Sequence, residues 1–369
     1  MSTLILNSLE IRRFRAFEHL QIEHLGRVNL IVGKNNVGKT CLLEALQLYA
    51  RRGSPELIWE ILGARNESGG SRPGRYTNVE DLFPYLKYIF YGRKDIQAHL
   101  EPIQIGPFRS LDEMLSITVG WYTTQINDEG NQKLLPLQPE GVETVDSSTP
   151  RFTIRFGKRP SINYPIFFDT LHVPRRIELK EISCIATTAN GLDRRQIAIL
   201  WDSISLTELE SDVLDAIRII APGVERLSFK EVPTSQRDRL PFVKVLGIDE
   251  PLPLRSLGDG MQRMLGIALA LVNARNGLLL VDEIENGLHY SAQLDVWRLI
   301  FRLASLLNVQ VFATTHGWDC IEAFQKAAQE DTQNEGVLIR LESKKDKIVA
   351  TLFDERRLGI ATREQIEVR

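Results

Sequence analysis

The most constraining stretch of the chain is Val28-Asn29-Leu30-Ile31-Val32, followed at once by Gly33-Lys34-Asn35-Asn36-Val37-Gly38-Lys39-Thr40. The near-continuous apolar run predicts a central buried strand that Gly33 stops. Leu42, Leu43 and Leu46 recur at helical spacing, which predicts a helix from Lys39 to about Ala50, ended by Gly53-Ser54-Pro55. A loop between strand and helix that fits G-x-x-x-x-G-K-[ST] at every fixed position is a phosphate cradle. The glycines let the backbone curl so that consecutive N–H groups point inward, and the helix start adds its positive dipole end. Lys39 is then placed to reach the β- and γ-phosphates of a nucleotide, and the Thr40 hydroxyl to ligate Mg²⁺. Gly33, Asn35, Asn36, Val37, Gly38, Lys39, Thr40 and Cys41 are the expected nucleotide-binding set.

Composition excludes several classes and names no chemistry. Of 369 residues, 43% are hydrophobic and 25% charged, and 45 Lys+Arg against 48 Asp+Glu give a net charge of −3, which argues against a generic nucleic-acid coat. No apolar run reaches the roughly 18 residues of a membrane span, and Met1 to Ile11 lacks the features of a secretory signal, so a cytoplasmic chain is expected. Cys41, Cys184 and Cys320 are isolated and lack CxxC spacing, so neither a disulfide framework nor a structural zinc is indicated.

Along the chain, two short strands precede the first buried one, and Asn66 to Arg75 reads as a Gly/Ser/Pro-rich loop. Alternating segments such as Leu115 to Val119 and Phe152 to Phe156 predict antiparallel β-structure. Thr207-Glu208-Leu209-Glu210 reads as a capping box opening a helix to about Ile220. Leu278 to Val281 and Val309 to Ala313 predict further core strands, with a helix from Ala292 to Leu307 between them, and Val337 to Phe353 predicts a hairpin.

Three further motifs bear on the cradle. Leu278 to Val281 ends in Asp282-Glu283, which places two carboxylates at a strand C-terminus, where doubly wound sheets bind ligands. Asp282 is a candidate to hold Mg²⁺, and Glu283 to polarise the attacking water as general base. His316 ends the next strand and is a candidate to hydrogen-bond a γ-phosphate. Finally, Leu257-Gly258-Asp259-Gly260 is a Gly-rich turn before a helix, a second anion-type site.

With this order of motifs the chain resembles the ATP-binding-cassette ATPases of the SMC/RecF type, and more closely the ATPase half of the overcoming-lysogenization-defect (OLD) family. The resemblance identifies Gly258, Asp259 and Gly260 with the signature motif, Glu285-Asn286-Gly287-Leu288-His289 with the D-loop and His316 with the switch histidine. It implies an α/β P-loop ABC-type ATPase with a parallel-sheet core, an antiparallel β subdomain and an inserted helical subdomain. As one domain over 1–369, this divides into a nucleotide-binding core (1–65 and 250–330), an antiparallel insertion (66–180), a helical/signature subdomain (190–250) and a C-terminal hairpin (331–369). It also implies a head-to-tail homodimer closing on ATP and Mg²⁺. Two positions depart from the pattern: Gly258 stands where the signature has serine, and the Q-loop has only Thr187, Thr188 and Gln196 as candidates. The roughly 50 residues after His316 are too few for the Toprim nuclease that OLD proteins carry, so the expected effector is a separate polypeptide, a nuclease in phage defence or DNA processing.

Three alternatives stand beside this reading. Ser343-Lys344-Lys345-Asp346 superficially resembles a guanine-reading motif, although a hairpin turn explains it more simply. A non-catalytic ATP-gated scaffold is the second. Direct DNA binding is the third, through Arg12, Arg13, Arg72, Arg75, Arg175, Arg176, Arg194 and Arg195.

Overall fold

The computed structural model describes residues 4–68, 83–94, 101–126, 132–136, 148–166, 180–231, 239–331 and 333–353. In chain order the strands are β1 (Leu9–Phe14), β2 (Phe17–Ile22), β3 (Val28–Val32), β4 (Ile103–Gly106), β5 (Leu115–Ile126), β6 (Gln132–Pro136), β7 (Thr149–Phe156), β8 (Ile162–Pro165), β9 (Cys184–Thr187), β10 (Val224–Glu231), β11 (Arg239–Val245), β12 (Leu252–Pro253), β13 (Leu278–Val281), β14 (Gln310–Thr314), β15 (Gly336–Lys344) and β16 (Lys347–Phe353). The helices are α1 (Lys39–Ala50), α2 (Pro55–Ala64), α3 (Arg194–Asp202), α4 (Leu209–Ile220), α5 (Asp259–Asn273), α6 (Tyr290–Leu306) and α7 (Trp318–Glu330).

The central sheet runs β16-β15-β3-β14-β13-β9, with every pair parallel except the edge pair β15–β16. Its inner strands β3, β14 and β13 are buried along their whole length because both faces are covered. Leu30, Val32, Leu279, Val281, Val311 and Ala313 enter one core, against α3 to α7. Ile31, Leu278, Leu280 and Phe312 point the other way, into a core shared with α1, α2 and a second sheet. That second sheet is antiparallel, in the order β2-β1-β4-β5-β7-β8 with β6 paired to β5. The architecture is α/β: a parallel core carrying the phosphate loop, with α1, α2 and an antiparallel sheet on one side and α3 to α7 on the other.

Several local expectations change. Gly53-Ser54-Pro55 does end α1, but it also opens α2: Ser54 caps it by accepting from Leu57 N–H at 3.4 Å, and Pro55 takes the first helical position. The stretch 190–250 is not purely helical, because β10 and β11 form an antiparallel hairpin within it. Thr207 to Glu210 is not a capping box. The Glu210 carboxylate accepts from Leu206 N–H at 3.1 Å, one residue too early, and α4 starts at Leu209 without a side-chain cap. The reciprocal box sits at α3 instead, where Asp193 accepts from Gln196 N–H at 2.8 Å and Gln196 accepts from Asp193 N–H at 3.0 Å. The hairpin at 331–369 is not a separate appendage, since β15 pairs in parallel with β3 inside the central sheet. Residues 354–369 and most of the Asn66 to Arg75 loop lie outside the described residues.

Candidate functional site

The cradle forms as its sequence requires. β3 ends at Val32, and Gly38 occupies the position before α1 at φ +97°, a left-handed conformation that a side chain disfavours. The first-turn amides of α1, including those of Thr40 and Cys41, have no intrahelical partner and are available to an anion. The Lys39 ammonium is buried and donates to the carbonyl oxygens of Gly33 at 2.6 Å and Lys34 at 3.1 Å. Burial pulls its pKa down, while Asp282, Glu283 and Glu285 oppose that shift. Asn35 and Asn36 are exposed at the loop tip, and Val37 is buried beneath it. The Cys41 side chain is also buried: its thiol contacts Arg65 Nη2 at 3.6 Å and is pushed up in pKa by burial, so its place in the set rests on its amide.

β13 and β14 are neighbours, so the residues that end them meet above the cradle. Thr40 Oγ1 donates to Asp282 Oδ2 at 3.1 Å. The buried Thr314 hydroxyl donates to Asp282 Oδ1 at 2.6 Å and accepts from Glu283 N–H at 2.8 Å. Glu283 Oε1 lies 3.2 Å from His316 Nε2, and Asn286 Nδ2 donates to Glu283 Oε2 at 2.6 Å. His316 Nδ1 lies 3.3 Å from Lys39 Nζ. The Nε2–H tautomer of a neutral His316 satisfies both of its contacts. Glu285 Oε1 accepts from the N–H groups of His316 at 2.7 Å and Gly317 at 3.1 Å, at the start of α7.

Lys39, Thr40, Glu283 and His316 line one cleft of about 1180 Å³, together with the rest of the phosphate loop, Thr315, Arg15, Arg65 and Arg93. Arg15 is itself buried and paired with Glu44 at 2.8 Å and Glu67 at 2.7 Å. The structure therefore brings Lys39, Thr40, Asp282, Glu283 and His316 together. It does not bring the signature turn to them. Among the described residues, none from Ser256 to Gly260 lines that cleft. Gly258 has φ +109°, a backbone region that a serine disfavours, which accounts for glycine at this position. Of the Q-loop candidates, Gln196 is engaged in the α3 capping box. Thr187 ends β9 beside Val281, and Thr188 offers its carbonyl to Arg263.

Sequence reasoning missed the bridging role of Thr314 and the contacts of Arg263. A hydroxyl residue ending an apolar strand and a lone cation at the start of an apolar helix are the signals for them. The Mg²⁺ donor set fits: a hydroxyl and a carboxylate, both hard oxygens, sit side by side at Thr40 and Asp282.

Fold and site together define a P-loop ATPase fold of the ABC type: a cradle between β3 and α1, paired acids after β13, a histidine after β14 and an antiparallel sheet alongside. Residues 4–98 match a family model described as an AAA ATPase domain, and residues 198–316 match one described as "AAA domain, putative AbiEii toxin, Type IV TA system". The chain is 24% identical over 359 residues to an ATP/GTP phosphatase of Helicobacter pylori, covering 88% of this chain and 89% of the relative. It is 34% identical over 82 residues to the DNA replication and repair protein RecF of Thioalkalivibrio sulfidiphilus, covering 19% of this chain and 23% of the relative. Among solved structures, a Pyrococcus furiosus Smc head domain bound to the C-terminal domain of ScpA has a TM-score of 0.48 at 11% identity, covering 98% of this chain and 99% of that one.

Proposed function

We propose that this chain binds ATP with Mg²⁺ and hydrolyses it to ADP and phosphate. Glu283 is the general base, Lys39 and His316 contact the γ-phosphate, and Thr40 and Asp282 are the residues that would hold the metal. Bound there, Mg²⁺ would neutralise charge on the β- and γ-phosphate oxygens. Asn286 donates to one oxygen of the Glu283 carboxylate and His316 lies against the other, which restrains the carboxylate at the wall of the cleft it lines. The observation that carries the reading is the convergence of Lys39, His316 and Glu283 in one cleft, each within 3.3 Å of the next.

The signature turn lies outside that cleft, and this supports a head-to-tail homodimer in which Gly258, Asp259 and Gly260 of one copy close on nucleotide held by another. Specific activity is expected to rise with protein concentration across the monomer–dimer range. A constant rate down to concentrations at which sizing shows only monomer contradicts the dimer. The OLD-like reading goes further: the ATPase cycle controls a separately encoded effector, a nuclease in phage defence or DNA processing, in the cytoplasm. The matched model's description as a putative toxin of a type IV TA system supports an ATPase paired with a second component. Mass spectrometry of what co-purifies with Glu283→Gln in ATP tests this, and recovery of the homodimer alone counts against it.

The guanine-reading alternative loses its support. Lys345 and Asp346 form the tight turn between β15 and β16, with φ +49° and +63°, and neither lines the cleft. For direct DNA binding, Arg12 is paired with Glu10 and Arg13 with Glu101, while Arg72, Arg75, Arg175 and Arg176 lie outside the described residues.

A further inference from the structure

Glu283 has φ +47°, a conformation that a residue with a side chain holds only when its surroundings over-determine it. Thr314 supplies one side-chain restraint, on the Glu283 N–H, and backbone bonds hold the flanks, from Ile284 N–H to Thr314 O at 3.0 Å and from Asn286 N–H to Glu283 O at 3.1 Å. A second side chain, on α5, adds three more bonds. Arg263 Nη2 donates to the carbonyl oxygens of Asp282 at 2.8 Å and Glu283 at 2.9 Å, and its Nη1 donates to the carbonyl of Thr188 at 2.9 Å. Arg263 is buried, at 7% exposure. One turn earlier on the same face of α5, Gly260 packs so closely on the D-loop that a Cβ there would stand 2.7 Å from Gly287 O. The helix that begins at the signature turn is therefore tied at two successive turns to the loop that carries the paired acids.

We propose that Arg263 is a positioning residue for hydrolysis: it fixes the backbone of Asp282 and Glu283 so that the Glu283 carboxylate faces the cleft, and it transmits to that carboxylate any displacement of α5. Engagement of the signature turn by nucleotide on the opposite subunit thereby sets the geometry of the base. This rests on the reading of Glu283 as general base. A planar guanidinium spans carbonyls of two segments at once, which a lysine ammonium on its single stem does not reproduce.

The test uses the full chain and compares wild type, Glu283→Gln, Arg263→Lys, Arg263→Met and Arg263→Met/Glu283→Gln, reading kcat, KM for ATP, affinity for a fluorescent ATP analogue and thermal midpoint. Arg263→Met is expected to lower kcat by about tenfold or more, with KM and nucleotide affinity within about twofold. Arg263→Lys is expected to show a partial loss at an unchanged thermal midpoint, which keeps the test decisive if the methionine variant folds poorly. The double variant is expected to be no slower than Glu283→Gln alone, because Arg263 acts through that carboxylate. Wild-type kcat in Arg263→Lys, equal losses in kcat and affinity, or additive losses in the double variant overturn the proposal. If Glu283→Gln itself turns over like wild type, the underlying assignment of the base has failed instead.

Discussion

The two halves of the nucleotide cleft are assembled by different means. On the phosphate-loop side the contacts are local: Lys39 bonds the carbonyls of Gly33 and Lys34, six and five residues away. On the other side they are distant. Asp282 meets Thr40 across 242 residues, His316 meets Lys39 across 277, and Glu285 holds the His316 amide across 31. The first half is specified by one short segment, so damage there acts on binding. The second exists only where β3, β14 and β13 lie side by side, so damage there acts on alignment.

The largest effect expected from this contrast is at Lys39. Lys39→Ala removes the buried cation from a cradle otherwise built of amides, and nucleotide affinity should fall by about a hundredfold or more. Titration with a fluorescent ATP analogue checks this. Retained affinity would show that the amides alone hold the nucleotide, and the contrast with the distant half would collapse. Glu283→Gln is the counterpart. It keeps shape and hydrogen-bonding reach but removes the base, so kcat should fall by about 10² to 10⁴ while affinity persists. Single-turnover hydrolysis separates the two, and loss of affinity in this variant would sink the division of labour.

Thr314→Val sharpens the comparison, because it is nearly isosteric and leaves the phosphate loop untouched. It deletes the hydroxyl that joins Asp282 Oδ1 to the Glu283 N–H. Both partners are left short of a hydrogen bond in a half-buried place, at a cost of about 1 kcal/mol in stability. Turnover should fall by about tenfold with nucleotide affinity near wild type. Equal loss of both would show that the strand ends support the cradle as well as the base.

The same division explains what the sequence made legible. The β3–loop–α1 unit was readable to its ends because strand, glycines, lysine and helix periodicity are contiguous and locally consistent. Asp282, Glu283 and His316 were readable as candidates because each follows an apolar strand. The bridging role of Thr314 and the contacts of Arg263 and Glu285 were not, since their partners are fixed by strand order and helix packing rather than by spacing. β9 was missed for a related reason. Cys184-Ile185-Ala186-Thr187 is a four-residue edge strand whose pairing with β13 is set by the sheet, and its residues carry no alternation of their own. The hairpin of β10 and β11 was hidden by neighbouring helical periodicity.

Capping gives the smallest effect and the cleanest control. The α3 box is entirely local, like the phosphate loop, but it lies outside the cleft: Asp193 and Gln196 exchange bonds at 2.8 and 3.0 Å. Asp193→Ala leaves the Gln196 N–H without its cap and should cost about 1 kcal/mol, read as a shift in the urea midpoint at unchanged slope. Its kcat and KM should match wild type. α3 packs through Ile197, Ala198 and Trp201 into the same core as α5, the helix that carries Arg263. A fall in kcat at constant affinity would therefore mean that α3 also steadies the distant half of the cleft, and the boundary between local and assembled regions would have to move to include it.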